Sequence, residues 1–499
     1  MSINAVYQPI SIDYEKSCQP KQILLGCNMD TSSKGGVSKV FFVKSSAQIT
    51  KVVPMTGQVK ISGFVNIKVV YLNTDKQCES FDYITDFVED IGCEALTEDM
   101  QVRVSAKVVD SEYQIGGDQI KIQVVVELRP IFVERQTQQY VVSAEGALIK
   151  DSKSCNQTFV DYVDREIEIV EEYDSGMNVE KILFFDVTAC VDDVSTAGDI
   201  VSVKGRTDVE IIYLAEGKII EKAMDLPFEE EWREKTSDLV AKVQASVKNS
   251  KLVLQGTEDS AVMRVEALCR LSGVVMSENC LETVEDMFCP QEELDCKYSV
   301  CEYDRQAQPL HCHIEVTGSE TIDDISADVK QVLAAHAVNC SIADVSGKDE
   351  MTISGMAEVA IVYLDENDEV DCKNIEIPFV EKCQYGLGND KLTDCNPYVK
   401  DVTVKVKRDR EFEVNLDIDV AMDIAERTVV KGISEVVEGE ARQVDRVAIS
   451  IYTPKQGESL WDVAKQLAVS DKEIIAQNPG VGDVMTGAER LVVYRELKV

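Results

Sequence analysis

The chain has 499 residues, with 51 basic side chains against 90 acidic ones and a net charge of −39. That length fits roughly three to four domains, and a hydrophobic content of 44% is enough to build their cores. A surface this acidic repels phosphate backbones and anionic headgroups, so nucleic-acid binding and direct electrostatic membrane binding are not expected.

Met1–Pro9 lacks the basic start and apolar core of a secretory signal. No uninterrupted apolar run approaches the ~20 residues of a membrane-spanning helix. No transmembrane segment is expected, and the chain is expected to stay in the compartment where it is made. Residues 1–35 carry short apolar patches such as Gln22-Ile23-Leu24-Leu25 and read as an N-terminal arm or leading strand.

An internal repeat follows. Its three copies are Ile61-Ser62-Gly63 running to Tyr71-Leu72, Val203-Lys204-Gly205 running to Tyr213-Leu214, and Ile353-Ser354-Gly355 running to Tyr363-Leu364. The glycines lie 142 and then 150 residues apart, a domain-sized period. Within each copy apolar and polar residues alternate, as in a half-buried strand, with Val65, Ile67 and Val69 on one face. Turn residues follow each Tyr-Leu, and an aromatic lands on the next strand at Phe87, Phe228 and Phe379. Upstream, Val40-Phe41-Phe42, Ile182-Leu183-Phe184 and Val332-Leu333-Ala334 each begin 31 residues before the repeat tyrosine. Short strands at this spacing predict three tandem β-sandwich-like domains at 36–135, 178–277 and 325–432. The connectors 136–177 and 278–324 are too long to be structureless, so each should hold a further strand or helix. The repeat glycines read as bulges or close backbone contacts, and the repeat tyrosines and phenylalanines as core anchors.

Catalysis finds no support. There are three histidines, His311, His313 and His336, and no nucleophile elbow, phosphate loop or zinc-protease motif. Acidic pairs such as Asp192-Asp193 and Asp323-Asp324 read as solvated surface. The run Cys280, Cys289, Cys296, Cys301, His311, Cys312, His313 has soft ligands but no Cys-x-x-Cys knuckle. The 16 cysteines are read as reduced, mostly buried thiols, with redox cross-linking as the alternative. No enzyme activity, metal or cofactor is expected.

The C-terminal segment, 447–496, has a different grammar. A strand at Ile449–Thr453 and a turn at Gln456-Gly457 lead to a helix capped by Ser459, with Leu460, Val463, Ala464 and Leu467 on one face. Ser470 starts a second helix with Ile474 and Ile475 inward, Asn478-Pro479 ends it, and Arg490–Tyr494 is the last strand. This βααβ unit resembles a LysM domain through Tyr452-Thr453, Gly457 to Ala464, Asn478, and Gly487 followed by Leu491-Val492-Val493. The resemblance implies a shallow groove for N-acetylglucosamine polymers formed by Gly457, Glu458, Ser459, Leu460, Asn478, Pro479 and Gly480.

The three glycine-to-Tyr-Leu repeats resemble the SPOCS domain of endospore-forming bacteria, and three repeats followed by one LysM unit are similar to the spore coat morphogenetic proteins. That resemblance implies a non-enzymatic assembly protein of the mother-cell cytoplasm and forespore surface. Its partners would be spore coat proteins, and the LysM end would bind the coat-basement ATPase SpoIVA. Peptidoglycan of the cell wall or spore cortex is the alternative ligand. Pro454 and the closing Val493-Tyr494 depart from the usual LysM pattern and turn the expectation from glycan towards protein.

Overall fold

In the computed structural model the chain is described at residues 3–257, 260–307, 309–321, 328–408, 410–442 and 449–494. Asp323-Asp324 and the two outermost residues at each end of 447–496 lie outside this set. The fold is mainly β: three tandem sandwiches and a small βααβ module.

The first unit uses seven strands: β1 (Asn4–Ser17), β2 (Lys21–Asp30), β3 (Lys39–Met55), β4 (Gln58–Leu72), β5 (Cys78–Gly92), β6 (Val102–Gly116) and β7 (Gln119–Glu145). Strands β3, β4 and β5 form an antiparallel meander. It packs on a second sheet in which β7 pairs with β6 on one edge and with β2, then β1, along the other. The alternation in β4 sends Val59, Ile61, Val65, Ile67, Val69 and Tyr71 into the space between the sheets. They meet Ile120, Ile122, Val124, Val126 and Leu128 from β7. A disulfide, Cys18–Cys93, ties the β1–β2 junction to the end of β5, so not every cysteine is a reduced thiol. Two residues 75 apart in sequence land on one seam only once the sheets have packed.

The second unit repeats this order with its first two strands fused: β8 (Leu148–Asp174), β9 (Val179–Ala197), β10 (Ile200–Ala215), β11 (Lys218–Arg233), β12 (Leu239–Thr257) and β13 (Ser260–Phe288). The third uses β14 (Glu292–Gln306), β15 (Leu310–Thr321), β16 (Val329–Ser346), β17 (Met351–Asp365), β18 (Val370–Cys383), β19 (Lys391–Lys407) and β20 (Glu411–Ala441). The described residues of the stretches 136–177 and 278–324 are therefore largely strand, serving the sheets on either side.

The repeat glycines have one physical cause. Gly63 pairs with Phe87, Gly205 with Phe228 and Gly355 with Phe379. Each phenylalanine lays its ring over the glycine, and a Cβ there would sit 2.6, 2.5 or 2.4 Å from the ring edge and 2.3–2.4 Å from a carbonyl of the preceding strand. That carbonyl lies beside a bulge, because the register slips at the same place in each copy, at Thr50, Asp192 and Ala343.

The three units close on one another. Strand β5 contacts β9, β11 contacts β16, and β18 returns to β3, so a head-to-tail interface closes into a ring inside one chain. A second bulge in each first meander strand, at Phe41, Leu183 and Leu333, turns consecutive apolar residues towards the junction. Phe42 and Phe184 stack edge to face with centroids 5.1 Å apart, and His336 packs on both at 4.9 and 4.8 Å. At the far end Tyr140, Thr283 and Gly432, at matching positions on β7, β13 and β20, meet so closely that a Cβ on Gly432 would lie 2.8 Å from the Tyr140 ring.

Beside the junction a cleft of about 560 Å³ is lined by Asp208, Glu210, Glu221, Asp225 and His336. Asp208 and Asp225 are direct cross-strand partners, an unfavourable like-charge pair. Burial, partly offset by Arg206 and reinforced by Asp225, pushes the Asp208 carboxyl up to about 7. Burial and then Glu210 push Glu221 up to about 8, although Glu221 accepts a hydrogen bond from the Ala335 amide at 3.2 Å.

Two predictions follow from this packing. Gly205→Ala should destabilise the protein by about 1–3 kcal/mol through overpacking, and Phe228→Leu in the same chain should recover part of that loss in a denaturant double-mutant cycle. Glu221 holds its proton more tightly when folded, so its contribution to stability is full below pH 4.5 and is lost as the pH rises to about 8. Glu221→Gln should therefore gain in thermal midpoint over the parent progressively from about pH 5 to about pH 9.

Candidate functional site

The C-terminal module comprises β21 (Ile449–Tyr452), α1 (Leu460–Leu467), α2 (Asp471–Gln477) and β22 (Leu491–Tyr494). Both helices begin with reciprocal caps. Ser459 accepts from the Asp462 amide while Asp462 accepts from the Ser459 amide, and Ser470 and Glu473 repeat the arrangement. Helices this short need such caps, because each leaves several amides without a partner in the helix. Leu460, Val463, Ala464, Ile474, Met485, Leu491 and Val493 form the core. Ile475, expected inward, is 45% exposed. The seven-residue α2 has room for one buried position facing the sheet, and Ile474 takes it.

The residues of the expected groove are largely committed to the module itself. The Gly457 amide donates to Met485 O at 2.8 Å, at a positive φ of 85°. Glu458 accepts from the Lys455 amide at 2.8 Å and lies 2.9 Å from the Tyr452 hydroxyl. Leu460 is buried, and its amide donates to Asp483 O at 2.8 Å. Asn478 donates from Nδ2 to Ile474 O and Val492 O, both at 2.9 Å, and accepts from the Val492 amide at 2.7 Å, locking α2 to β22. Pro479 and Gly480 are exposed. Backbone bonds thus tie Gly457, Glu458 and Leu460 to Asp483 and Met485, and Asn478 bridges α2 and β22, leaving Gly457, Pro479 and Gly480 as the exposed members.

Helix α1 also seats the module on the ring. Asp286, near the end of β13, accepts from Trp461 Nε1 at 2.8 Å, from Lys465 Nζ at 2.7 Å and from the Tyr298 hydroxyl at 2.7 Å. Burial alone would raise the Asp286 carboxyl; Lys465, Trp461 and Tyr298 outweigh it and hold it below the usual range. Phe288 packs edge-on against Trp461 with centroids 5.1 Å apart, and Leu148, its partner on β8, joins the same cluster. Trp461 is therefore a seat residue. Asp286 and Phe288 had no motif to mark them, since they lie 175 and 173 positions from Trp461.

Among the described residues nothing covers the outer face of the two-stranded sheet. Ile449 opposes Tyr494 and Ile451 opposes Val492. Ile449, Ile451 and Tyr494 are 53%, 71% and 56% exposed. Alternation along Ile449-Ser450-Ile451-Tyr452 marks two faces but not which one is inward, and the structure fills the core from the face shared with Leu491 and Val493.

The soft-ligand run is dispersed along strands. Cys280 is exposed, Cys289, Cys301 and Cys312 are buried, and Cys296 is half-buried. His311 Nδ1 lies 3.0 Å from Asp419 and His313 Nδ1 lies 3.0 Å from Asp417. Among the described residues no three His, Cys, Asp or Glu side chains gather as a metal site. Among the same residues no helix is long and apolar enough to cross a membrane.

Residues 36–116, which hold β3 to β6, match the family described as SipL, SPOCS domain. No curated protein and no solved structure matches the chain. The chain is thus a SipL-like, SPOCS-containing protein related to sporulation and the spore coat.

Asp286→Ala should unseat the module. In a Trp232→Phe background, Trp461 emission should shift to the red, and the α1 amides should exchange hydrogen faster, with the β units unchanged. The loss of charge-assisted hydrogen bonds at Asp286 should cost about 1.5–3 kcal/mol per bond.

Proposed function

We propose that this chain is a non-enzymatic assembly protein of the spore coat, in which a ring of three β units presents the terminal LysM-like module to a protein partner. The observation that carries this reading is the exposed apolar face of β21 and β22, with Ile449, Ile451 and Tyr494 side by side and nothing over them among the described residues. Side chains of this kind suit a desolvated protein interface. The partner we assign is a spore coat component, the basement ATPase SpoIVA, met on the forespore surface from the mother-cell cytoplasm. The commitment of Glu458, Leu460 and Asn478 to internal bonds and core supports protein over glycan. Peptidoglycan binding remains the second reading, because Gly457, Pro479 and Gly480 stay accessible.

Ile451→Asp combined with Tyr494→Asp should abolish co-purification with SpoIVA and recruitment to the forespore surface while leaving the thermal midpoint nearly unchanged. Retention of the partner by this variant, or saturable binding of the parent to purified sacculi that is lost on changing Gly457–Leu460, would favour the glycan reading.

A further inference from the structure

Past the body of the second unit, β8 and β13 continue as a ribbon to the seat of the terminal module. On this ribbon Cys155 and Cys280 are direct antiparallel partners. The register runs unbroken from Met276 to Val284, so both side chains leave the same face. The pairs on either side along that face meet side chain to side chain: Lys153 Nζ lies 3.1 Å from Glu282, and Gln157 Nε2 reaches Glu278 Oε1 at 3.3 Å. Directly opposed residues of an antiparallel pair have Cα atoms about 4.5–5.5 Å apart, inside the roughly 4.4–6.8 Å that disulfides span. Among the described residues, Cys155 and Cys280 are the exposed free thiols; the other free cysteines are buried or half-buried. The strand carrying Cys155 is also fixed in place, since the Tyr303 hydroxyl donates to Cys155 O at 2.8 Å.

We propose that Cys155 and Cys280 form an accessible redox pair that closes a cross-strand disulfide by exchange with a low-molecular-weight disulfide. The thiolate of one cysteine attacks a sulfur of the small disulfide, forming a mixed disulfide and expelling one small thiolate. The second cysteine loses its proton to water and attacks the protein sulfur of the mixed disulfide, and the second small thiolate leaves. Two protein thiols are oxidised and one small disulfide is reduced to two thiols. The staple joins the two strands between the body of the unit and Leu148 and Phe288, the pair on which the terminal module rests.

The test treats the full-length protein with oxidised glutathione, alkylates it without reductant and maps its peptides. The expected result is a linked Cys155–Cys280 peptide pair and an intact mass lower by two hydrogens. Cys280→Ser should instead carry one glutathione on Cys155, with an unchanged thermal midpoint. In graded reductant the exposed pair should open before Cys18–Cys93, whose Cys18 is buried. Stable glutathione adducts on both cysteines of the parent, or a reducible dimer linked through them, would overturn the proposal.

Discussion

The architecture depends on the closure of three sandwiches about one axis. Each unit brings apolar side chains to one end of its meander, Phe41, Phe42 and Val70 in the first and Leu183, Phe184 and Ile212 in the second, and they gather in one buried cluster with Ala334, Ala360 and Val362 of the third. They are buried because the next unit brings its own. A closed ring satisfies all such faces with none left over, whereas an open row would leave one exposed at each end. Near the far side of the junction Lys242 of the second unit lies 3.3 Å from Glu15 of the first and 2.7 Å from Asp423 of the third. Burial would neutralise Lys242; Glu15 and Asp423 outweigh it and keep the ammonium charged. One buried cation thus holds a residue from each neighbour, and such a knot favours a defined arrangement more than it adds stability.

The joints share geometry but differ in charge. At one matched position the first joint pairs Lys68 with Asp186 at 3.0 Å and the second pairs Glu210 with His336 at 2.6 Å, whereas at the third the counterparts are Ala360 and Lys44, and Lys44 Nζ donates to Ala337 O at 3.1 Å. A second matched position pairs Lys181 with Glu79 and Lys39 with Asp371 and, at the remaining joint, places Gln331 and Ile220. In the one alternative order of three units Lys68 would face His336 and Asp186 would face Ala360, so the Lys68–Asp186 pair would be lost. Complementary patterns of this kind specify partners more than they stabilise them.

Much of the fold was legible because its signals are local. Alternation gave the strands, and the repeated glycine and tyrosine gave the three units. The capping serines gave both helices of the terminal module. What escaped were relations between distant segments. The pairing of β1 and β2 with β7 joins residues 89 to 141 positions apart and leaves no pattern in either strand. The close approach of Phe87 to Gly63 was visible only as a matched offset, although it explains both residues. The seat at Asp286 and the outward face of β21 were hidden for the same reason: sequence shows that a side chain is apolar or charged but not what lies across from it.

The seat also shows how a threefold scaffold yields a single site. Counted from the Tyr140, Thr283 and Gly432 ring, a bulge recurs two residues on, at Val142, Glu285 and Ser434. The residues that follow it are Ser143, Asp286 and Glu435, and two further on lie Glu145, Phe288 and Val437. Backbone geometry is thus prepared three times. An acid with an aromatic beside it occurs once, and Trp461 with Lys465 one turn later on α1 answers that pair alone. At the first unit Ser143 brings no charge to Lys465, and Glu145 would set an acid against the indole. At the third, Glu435 is already held by Lys297 at 2.6 Å. The module therefore has one seat on the ring, and the exposed sheet face points outward from one place on the molecule.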